Sequence, residues 1–521
     1  MPDWTYQPLR GTVAFLAGTR RSQRMALRAL ATVGSLPGGG RLIARGFGHR
    51  HPPEQLVGRI AGIPIRSRLG VVVPPHLARD AVRALPPVGA GVIEIAPVGP
   101  DDVAAVTEAA HARHVPVIVR AVGDDAAAVA KALSPHVDAV RTGPDPHIAY
   151  ASSASIAETV QVLTADARVV VLAKPSVLVD AGPGWFARIA EAATPTSPAL
   201  SLYKLGRNPR WWPAWWWGLL VGFGMIGAGL GAAAITLGPV LLWYDRDYLG
   251  MGVEQLHAID HHLVHFLQHD RITMAGTMVA IGVLYVGFAV GGIRRGWPWA
   301  RDAYLASGLI GFPSLLYFLG TGFIEPLHTA VTVVLLPMFV LAVRRTPERP
   351  RWTLIPEGPE RQRRKALVGQ LLMVVTGIGL FIGGVVVSVV GLNGVFVPSD
   401  LEFLHSGADA LRMANPRLLP FVAHDRAGFG GALMAAAVAI TLLSAWGWRR
   451  GEWWVWWSLA LAAVAGFIPA VLVHGSIRYT DIGHLAPVYL GMVLAAVALF
   501  LAYPYLCARP GKLHEPAHIR R

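Results

Sequence analysis

The sequence predicts an α/β soluble domain, partial (β/α) barrel-like, joined to an all-α eight-helix transmembrane bundle built as two parallel four-helix repeats. Three observations predict it. Of 521 residues, 53% are apolar and 15% charged, a balance too apolar for a soluble protein of this length. The apolar residues are unevenly spread: short Val/Ile/Leu runs alternate with Ala-rich stretches up to residue 205, and eight long apolar runs fill 214–506. The second of these parts also matches itself at an offset of 155 residues.

In chain order, residues 1–58 read as an N-terminal helical segment without the basic start and apolar length of a signal peptide. Within it, residues 13–32 set Arg20, Arg21, Arg24 and Arg28 among apolar residues, a pattern that suits either a helix lying on anionic lipid or a plain surface helix. Cys507 is the single cysteine, which excludes an intramolecular disulfide and any cysteine-based metal or iron–sulfur site built by this chain alone. The net charge of +14 raises nucleic acid as a partner. Because the arginines cluster in alternate loops between apolar runs, the expected partner is the lipid bilayer and not nucleic acid.

Residues 59–205 carry the βα rhythm. GAGVIEIAPV (89–98), VPVIVRAV (115–122), VDAVRTG (137–143) and ARVVVLAKP (167–175) read as strands, with helical stretches near 102–114, 124–134 and 184–193. That alternation implies a parallel sheet covered by helices. A full eightfold barrel takes about 250 residues, so the stretch is long enough only for a partial one.

The run GIPIRSRLGVVVPPHLARDAVRALPPVGAGVIEIAPVGP (62–100) resembles the opening strands of the membrane-associated, quinone-linked dihydroorotate dehydrogenases, through Gly70, Gly89, Gly91, Glu94, Ile95 and Pro100. LSPHVDAVRTGPDP (133–146) and VVLAKPSVLVDAGPGWFARIAEAA (170–193) are similar to later segments of that family, with Lys174 at its flavin-contacting lysine. The resemblance implies an FMN cofactor held by Gly70 and Lys174, a quinone partner and an oxidoreductase ancestry. The sequence departs from the family where it matters for catalysis. Val73-Pro74 stands at the flavin Ala-Gly, Leu77 at a lysine, and Thr142-Gly143-Pro144-Asp145 at the serine-bearing catalytic loop. No base remains assigned, and a complete pocket would need a second chain, a homo-oligomer.

The membrane part divides into repeat 1 (206–345), a basic linker (346–366), repeat 2 (367–506) and a tail (507–521). The expected spans are 214–243, 272–293, 303–322, 326–343, 367–391, 427–447, 454–473 and 483–506, each long enough to cross about 30 Å of hydrocarbon. Arg294, Arg295 and Arg301 follow the second; Arg344, Arg345, Arg349, Arg351, Arg361, Arg363, Arg364 and Lys365 the fourth; Arg449 and Arg450 the sixth. The positive-inside rule then places both termini in the cytoplasm, in an inner-membrane protein. Tryptophans 211, 212, 215–217, 297, 299, 453, 454, 456 and 457 fall at that same interface.

The repeat brings Gly222, Gly224 and Gly229 onto Gly377, Gly379 and Gly384, Asp245 onto Asp400, and the triplet His269-Asp270-Arg271 onto His424-Asp425-Arg426. After a one-residue slip, Glu325 and His328 fall on Asp481 and His484. The glycines read as close helix packing. Each HDR triplet is expected at the outer end of its repeat's second span, and each acid–histidine pair, spaced by three on one helix face, at the outer start of the fourth.

If the second and fourth spans adjoin, each half gathers two histidines, two acids and an arginine. His269, Glu325, His328, His424, Asp481 and His484 then suit a metal, the histidines alone a haem, and the whole set a proton relay, with Arg271 and Arg426 holding Asp270 and Asp425. Helix capping and interfacial pairing explain the same residues without a ligand. His257, His261 and His265 continue the fourfold spacing up from His269, but repeat 2 puts Arg412, Pro416 and Pro420 there, so the stripe belongs to the first half and suits a solvated helix face or a second ligand surface. A redox-linked membrane protein, a transporter or proton-handling protein, and a non-enzymatic scaffold or sensor are the functions left open.

Overall fold

The computed structural model describes residues 2–46, 54–193, 208–209, 212–317, 321–344 and 358–508. The chain packs as two units, one holding Met1–Thr196 and Thr353–Leu367, the other Ser197–Trp352 and Val368–Arg509. Trp211, Arg345, Arg349, Arg351, the domain limit expected near 205 and most of the tail lie outside the described residues.

In the first unit a hairpin of β1 (Gly58–Ile60) and β2 (Ile63–Ile65) turns through Ala61 and Gly62, both at positive φ, the backbone a two-residue hairpin requires. Six parallel strands follow: β3 (Leu69–Val73), β4 (Val92–Val98), β5 (Val117–Ala121), β6 (Ala139–Arg141), β7 (Ile148–Ala151) and β8 (Val170–Ala173). Their order is β6-β5-β4-β3-β8-β7. One face packs Val71, Ile93, Ile95, Val117 and Val119 under the connecting helices. The alternate residues Val92, Ile118, Ile148, Val170 and Leu172 make a separate core with Ile60 and Ile65 of the hairpin.

The edge strands β6 and β7 are consecutive in the chain, joined by only the six residues 142–147. Across a flat six-stranded sheet those edges would lie about 24 Å apart. The link cannot be drawn out to that length, because the amide of His147 bonds the Asp145 side chain at 2.9 Å and that of Ile148 bonds the Asp145 carbonyl at 3.0 Å. The sheet therefore coils strongly. Among the described residues no ladder joins β6 to β7, so it is an open parallel sheet and not a closed barrel.

Two expectations change, one at the N-terminus and one in the linker. The single basic helix over 13–32 is two helices, Gln7–Ala17 and Thr19–Ser35, separated at Gly18, whose φ of 78° ends the first. The basic linker is in part a built element: Glu360–Asn393 is one helix, and Arg363, 7% exposed, bonds the buried Asp3 at 3.2 Å and Glu360 at 2.8 Å.

Seven helices among the described residues are long and apolar enough to cross a membrane: Ala214–Leu237, Leu263–Arg295, Pro326–Arg344, Glu360–Asn393, Leu418–Gly447, Trp453–Ile477 and Ile482–Leu506; all lie in the second unit except the first eight residues of Glu360–Asn393. The expected third span is a shorter helix, Pro298–Ser314, which carries Pro313 and runs into a 3-10 turn, Leu315–Tyr317. The count of eight therefore becomes seven and one short helix. This is a multi-pass membrane protein by the length and composition of its helices.

The two halves copy one another element by element. Short helices begin at Trp243 and Val253 in the first half and at Pro398 and Ala408 in the second. The following helices begin at Leu263 and Pro298 against Leu418 and Trp453, every start 155 residues after its counterpart, and the last at Pro326 against Ile482, 156 after. Left-handed backbone repeats too, at Val240 and Val395, Gly250 and His405, Gly296 and Gly451, and Gly322 and Arg478.

Candidate metal centre

Each HDR triplet lies inside its helix and not before it. The helices start at Leu263 and Leu418, so the triplets occupy the second and third turns and are 4–9% exposed. A guanidinium at that depth needs full pairing, and the repeat supplies it twice. Arg271 Nη1 donates to the Val240 carbonyl at 2.7 Å, and Arg426 Nη1 to the Val395 carbonyl at 2.7 Å. The two left-handed valines thus turn a carbonyl toward the arginine of their own half.

The carboxylate partner comes from the other half. Arg271 Nε donates to Asp425 Oδ2 at 2.7 Å, and Arg426 Nε to Asp270 Oδ2 at 3.1 Å. Asp245 and Asp400 complete the group, 3.7 Å from Arg271 and 2.6 Å from Arg426. The rings of Phe421 and Phe266 lie beneath the two guanidinium groups, at 5.1 and 4.8 Å. Four aspartates face two arginines, so the buried group carries a surplus of acid that a cation beside it would offset.

The histidines also pair across the halves, which corrects the expectation of one self-contained cluster per half. His269 of repeat 1 meets His474 and His484 of repeat 2, each offering a ligand atom within 4.8 Å of the others. Their ring centroids are 4.8, 5.3 and 6.1 Å apart. Three imidazoles sharing one tetrahedral ion place their centroids about 5 Å apart, from metal–nitrogen bonds of about 2 Å.

Backbone carbonyls set the tautomers. His269 Nδ1 donates to the Phe266 carbonyl at 2.7 Å and His474 Nδ1 to the Ala470 carbonyl at 2.7 Å, leaving each Nε2 as a lone pair. That of His269 lies 3.4 Å from Asp270. That of His474 is buried and has no hydrogen-bond partner. His484 Nδ1 lies 3.2 Å from the Tyr479 hydroxyl, which donates to Asp400 at 2.8 Å. Histidines oriented by a second hydrogen bond are what metal ligands require.

The counterpart cluster joins His424 of repeat 2 to Glu325 and His328 of repeat 1. It is chemically different. Glu325 contacts His328 Nδ1, accepts from the Tyr244 hydroxyl at 2.9 Å and lies 3.8 Å from His424 Nε2, so its carboxylate is already held by neighbours. Phe323 packs edge-on to His424 where Tyr479 packs edge-on to His269.

Of the residues expected at these sites, Asp481 is absent from both: it is exposed and caps its helix, accepting from the His484 amide at 2.7 Å. His474 and Tyr479 were missed. A search guided by the repeat passes over His474, because Phe318 and Leu319 stand at the matching place in repeat 1. Asp245 and Asp400 carried a signal, their match across the repeat, though no role followed from it.

In the first unit Gly70 and Lys174 stand on paired strands, Gly70 opposite Leu172, two residues before Lys174. Gly70 lies in the packed interior, where a Cβ would come 2.5 Å from Val92 and 2.7 Å from Leu172, and Lys174 is exposed at the end of β8. The polar group on the coiled face centres instead on Glu94, fully buried, with the Tyr150 hydroxyl at 2.7 Å, Arg120 at 3.4 Å and Arg141 at 3.6 Å. Burial and the bond to Glu94 push the Tyr150 phenol above its ordinary pKa.

No family model, no curated protein and no solved structure matches this chain.

Proposed function

We propose that the helix bundle is the working part of this membrane protein and that it binds a divalent transition-metal ion on His269, His474 and His484. The observation that carries this is the His474 imidazole, locked by the Ala470 carbonyl and left with a buried, unpartnered Nε2 beside His269 and His484. Imidazole suits zinc, copper and iron. Three protein ligands leave a fourth position for water or substrate, the arrangement of a reactive site and not a structural one. With iron or copper the redox linkage expected from the sequence belongs here; with zinc the centre is a Lewis acid. The arginines at the other end of the bundle, Arg294, Arg295, Arg449 and Arg450, favour placing the centre on the outer side.

Proton handling is a second reading, favoured by the other cluster, where Glu325 sits among His328, His424 and Tyr244 as a relay would. The FMN implied by the resemblance has Lys174 as its support, with a flavin band in the same absorption spectrum as its test, and the quinone rests on the joining of that domain to a membrane bundle.

The experiment is elemental analysis with an absorption spectrum on detergent-purified protein. The expected result is about one tightly held metal equivalent per chain after exhaustive dialysis, lost in His474→Ala and retained in Asp481→Ala. Wild-type protein that stays metal-free after dialysis against zinc, copper and iron in turn, and pulls no proton current in liposomes either, would leave the non-enzymatic scaffold.

A further inference from the structure

We infer that His257, His261 and His265 form a second, solvent-accessible site for the same class of ion, which captures it and passes it to the buried centre. The inference rests on the metal reading above.

The short helix Val253–Ile259 ends in a turn at Asp260, where the His262 amide bonds Asp260 Oδ1 at 2.8 Å, and the chain then enters the long helix at Leu263. That turn folds three histidines spaced by four into one group. Their ring centroids stand 5.5 Å (His257–His261), 5.7 Å (His261–His265) and 6.0 Å (His257–His265) apart, a nearly equilateral triangle. The spacing is close to the about 5 Å of three imidazoles on one tetrahedral ion. The ring separations match those of the buried triad, 4.8 to 6.1 Å, but only in the buried triad do the ligand nitrogens already lie within 4.8 Å of one another, so the outer rings must turn to close on an ion.

The same locking recurs. His257 Nδ1 faces the His261 carbonyl at 3.2 Å and His265 Nδ1 faces Gln268 Oε1 at 3.2 Å. Donation from Nδ1 in each leaves Nε2 as the lone pair that a metal takes. Access differs between the two triads: His261 is exposed and His257 and His265 are half-buried, whereas His269 and His474 are each 4% exposed and only His484 is half-buried. His265 and His269 are four residues apart on one helix, hence on one face and one turn apart. An ion leaving the outer triad therefore has its first buried ligand a single turn further along.

The asymmetry of the molecule points the same way. Only repeat 1 carries the outer histidines, since Arg412, Pro416 and Pro420 replace them in repeat 2. Only the HDR histidine of repeat 1, His269, enters a three-histidine centre; that of repeat 2, His424, enters the cluster held by Glu325. The outer histidines and the three-histidine centre therefore meet at the same one of the two HDR triplets, that of His269.

The test uses full-length protein purified without a polyhistidine tag, stripped by chelator and titrated with zinc ion alone. Wild-type protein should bind two ions, one tight and one weaker. The triple variant His257→Gln, His261→Gln, His265→Gln should keep only the tight ion and load it from chelator-buffered zinc at least tenfold more slowly. His474→Ala should keep only the weaker one. A triple variant that still binds two ions, or that loads at the wild-type rate, overturns the inference while leaving the buried centre intact. Wild-type protein whose only ion is lost in the triple variant and kept in His474→Ala overturns the buried centre and with it the transfer. The glutamine variant must melt at the wild-type temperature, and His261→Gln alone, at an exposed position, repeats the rate comparison without burden on the fold.

Discussion

Arg271 and Asp425 show how much of this molecule turns on single charges. Each arginine is bonded to a carboxylate of the opposite repeat and a carbonyl of its own, so removing Asp425 leaves the buried Arg271 cation with the Val240 carbonyl and, 3.7 Å away, the Asp245 carboxylate. Asp425→Asn should cost about 3–5 kcal/mol, the range for breaking one side of a buried ion pair. Replacing both members, Arg271→Met with Asp425→Leu, should recover most of that loss. Thermal unfolding in detergent measures both, and equal losses in single and double variants would show that the pair does not hold the halves together. That an arginine and an aspartate occur at these places is plain in the sequence. That they belong to each other across 154 residues is not, because the triplet itself offers a nearer partner.

At the scale of elements, Gly222 and Gly229 in the first half and Gly377 and Gly384 in the second are packing residues, whereas Gly379, expected to be one, is not. A Cβ at Gly222 would lie 2.9 Å from the Gly282 carbonyl, and one at Gly384 would lie 2.8 Å from the Gly430 carbonyl. Close backbone approach of this kind is how helices associate without a hydrophobic drive between them. Gly384→Val should destabilise by about 1–3 kcal/mol, whereas Gly379→Ala, with nothing within 4 Å of its Cβ, should melt as wild type. A neutral Gly384→Val would mean that the first and second helices separate freely. Helix positions were legible to within two or three turns, since apolar length and flanking charges mark them. The missed beginnings have a physical cause: polar HDR residues end an apolar run in the sequence, although their mutual pairing lets the helix continue through them to Leu263 and Leu418.

For the whole molecule the interlocking of the halves is the main consequence. His269 reaches the third and fourth helices of the other repeat, His424 reaches the fourth helix of its own opposite, and Asn415 and Arg417 bond the Leu249 and Tyr248 carbonyls across the pair at 2.9 and 2.7 Å. A chain cut by an inserted protease site between residues 345 and 352 should therefore keep its two halves together through size-exclusion chromatography in detergent. Halves that elute apart after cutting would show that the cross-paired residues do not bind them.

Periodicity, charge and self-similarity in the sequence determined that the protein spans a membrane, that it carries two copies of one helical unit, and that HDR and the acid–histidine pairs are part of that unit. These properties are written along the chain, because a span is a length, an interface is a change of polarity and a repeat is an offset. Tertiary structure alone decided which histidines meet. His474 has no counterpart in repeat 1 to mark it, Asp481 looks like a ligand and serves as a cap, and each triplet finds its partners in the other half. It also decided that the βα unit is an open coiled sheet, through the short turn at Asp145 that draws its edges together. A sequence records the face and depth of each side chain, while the neighbour across a helix interface depends on which helix packs there, and that is a property of the assembled bundle.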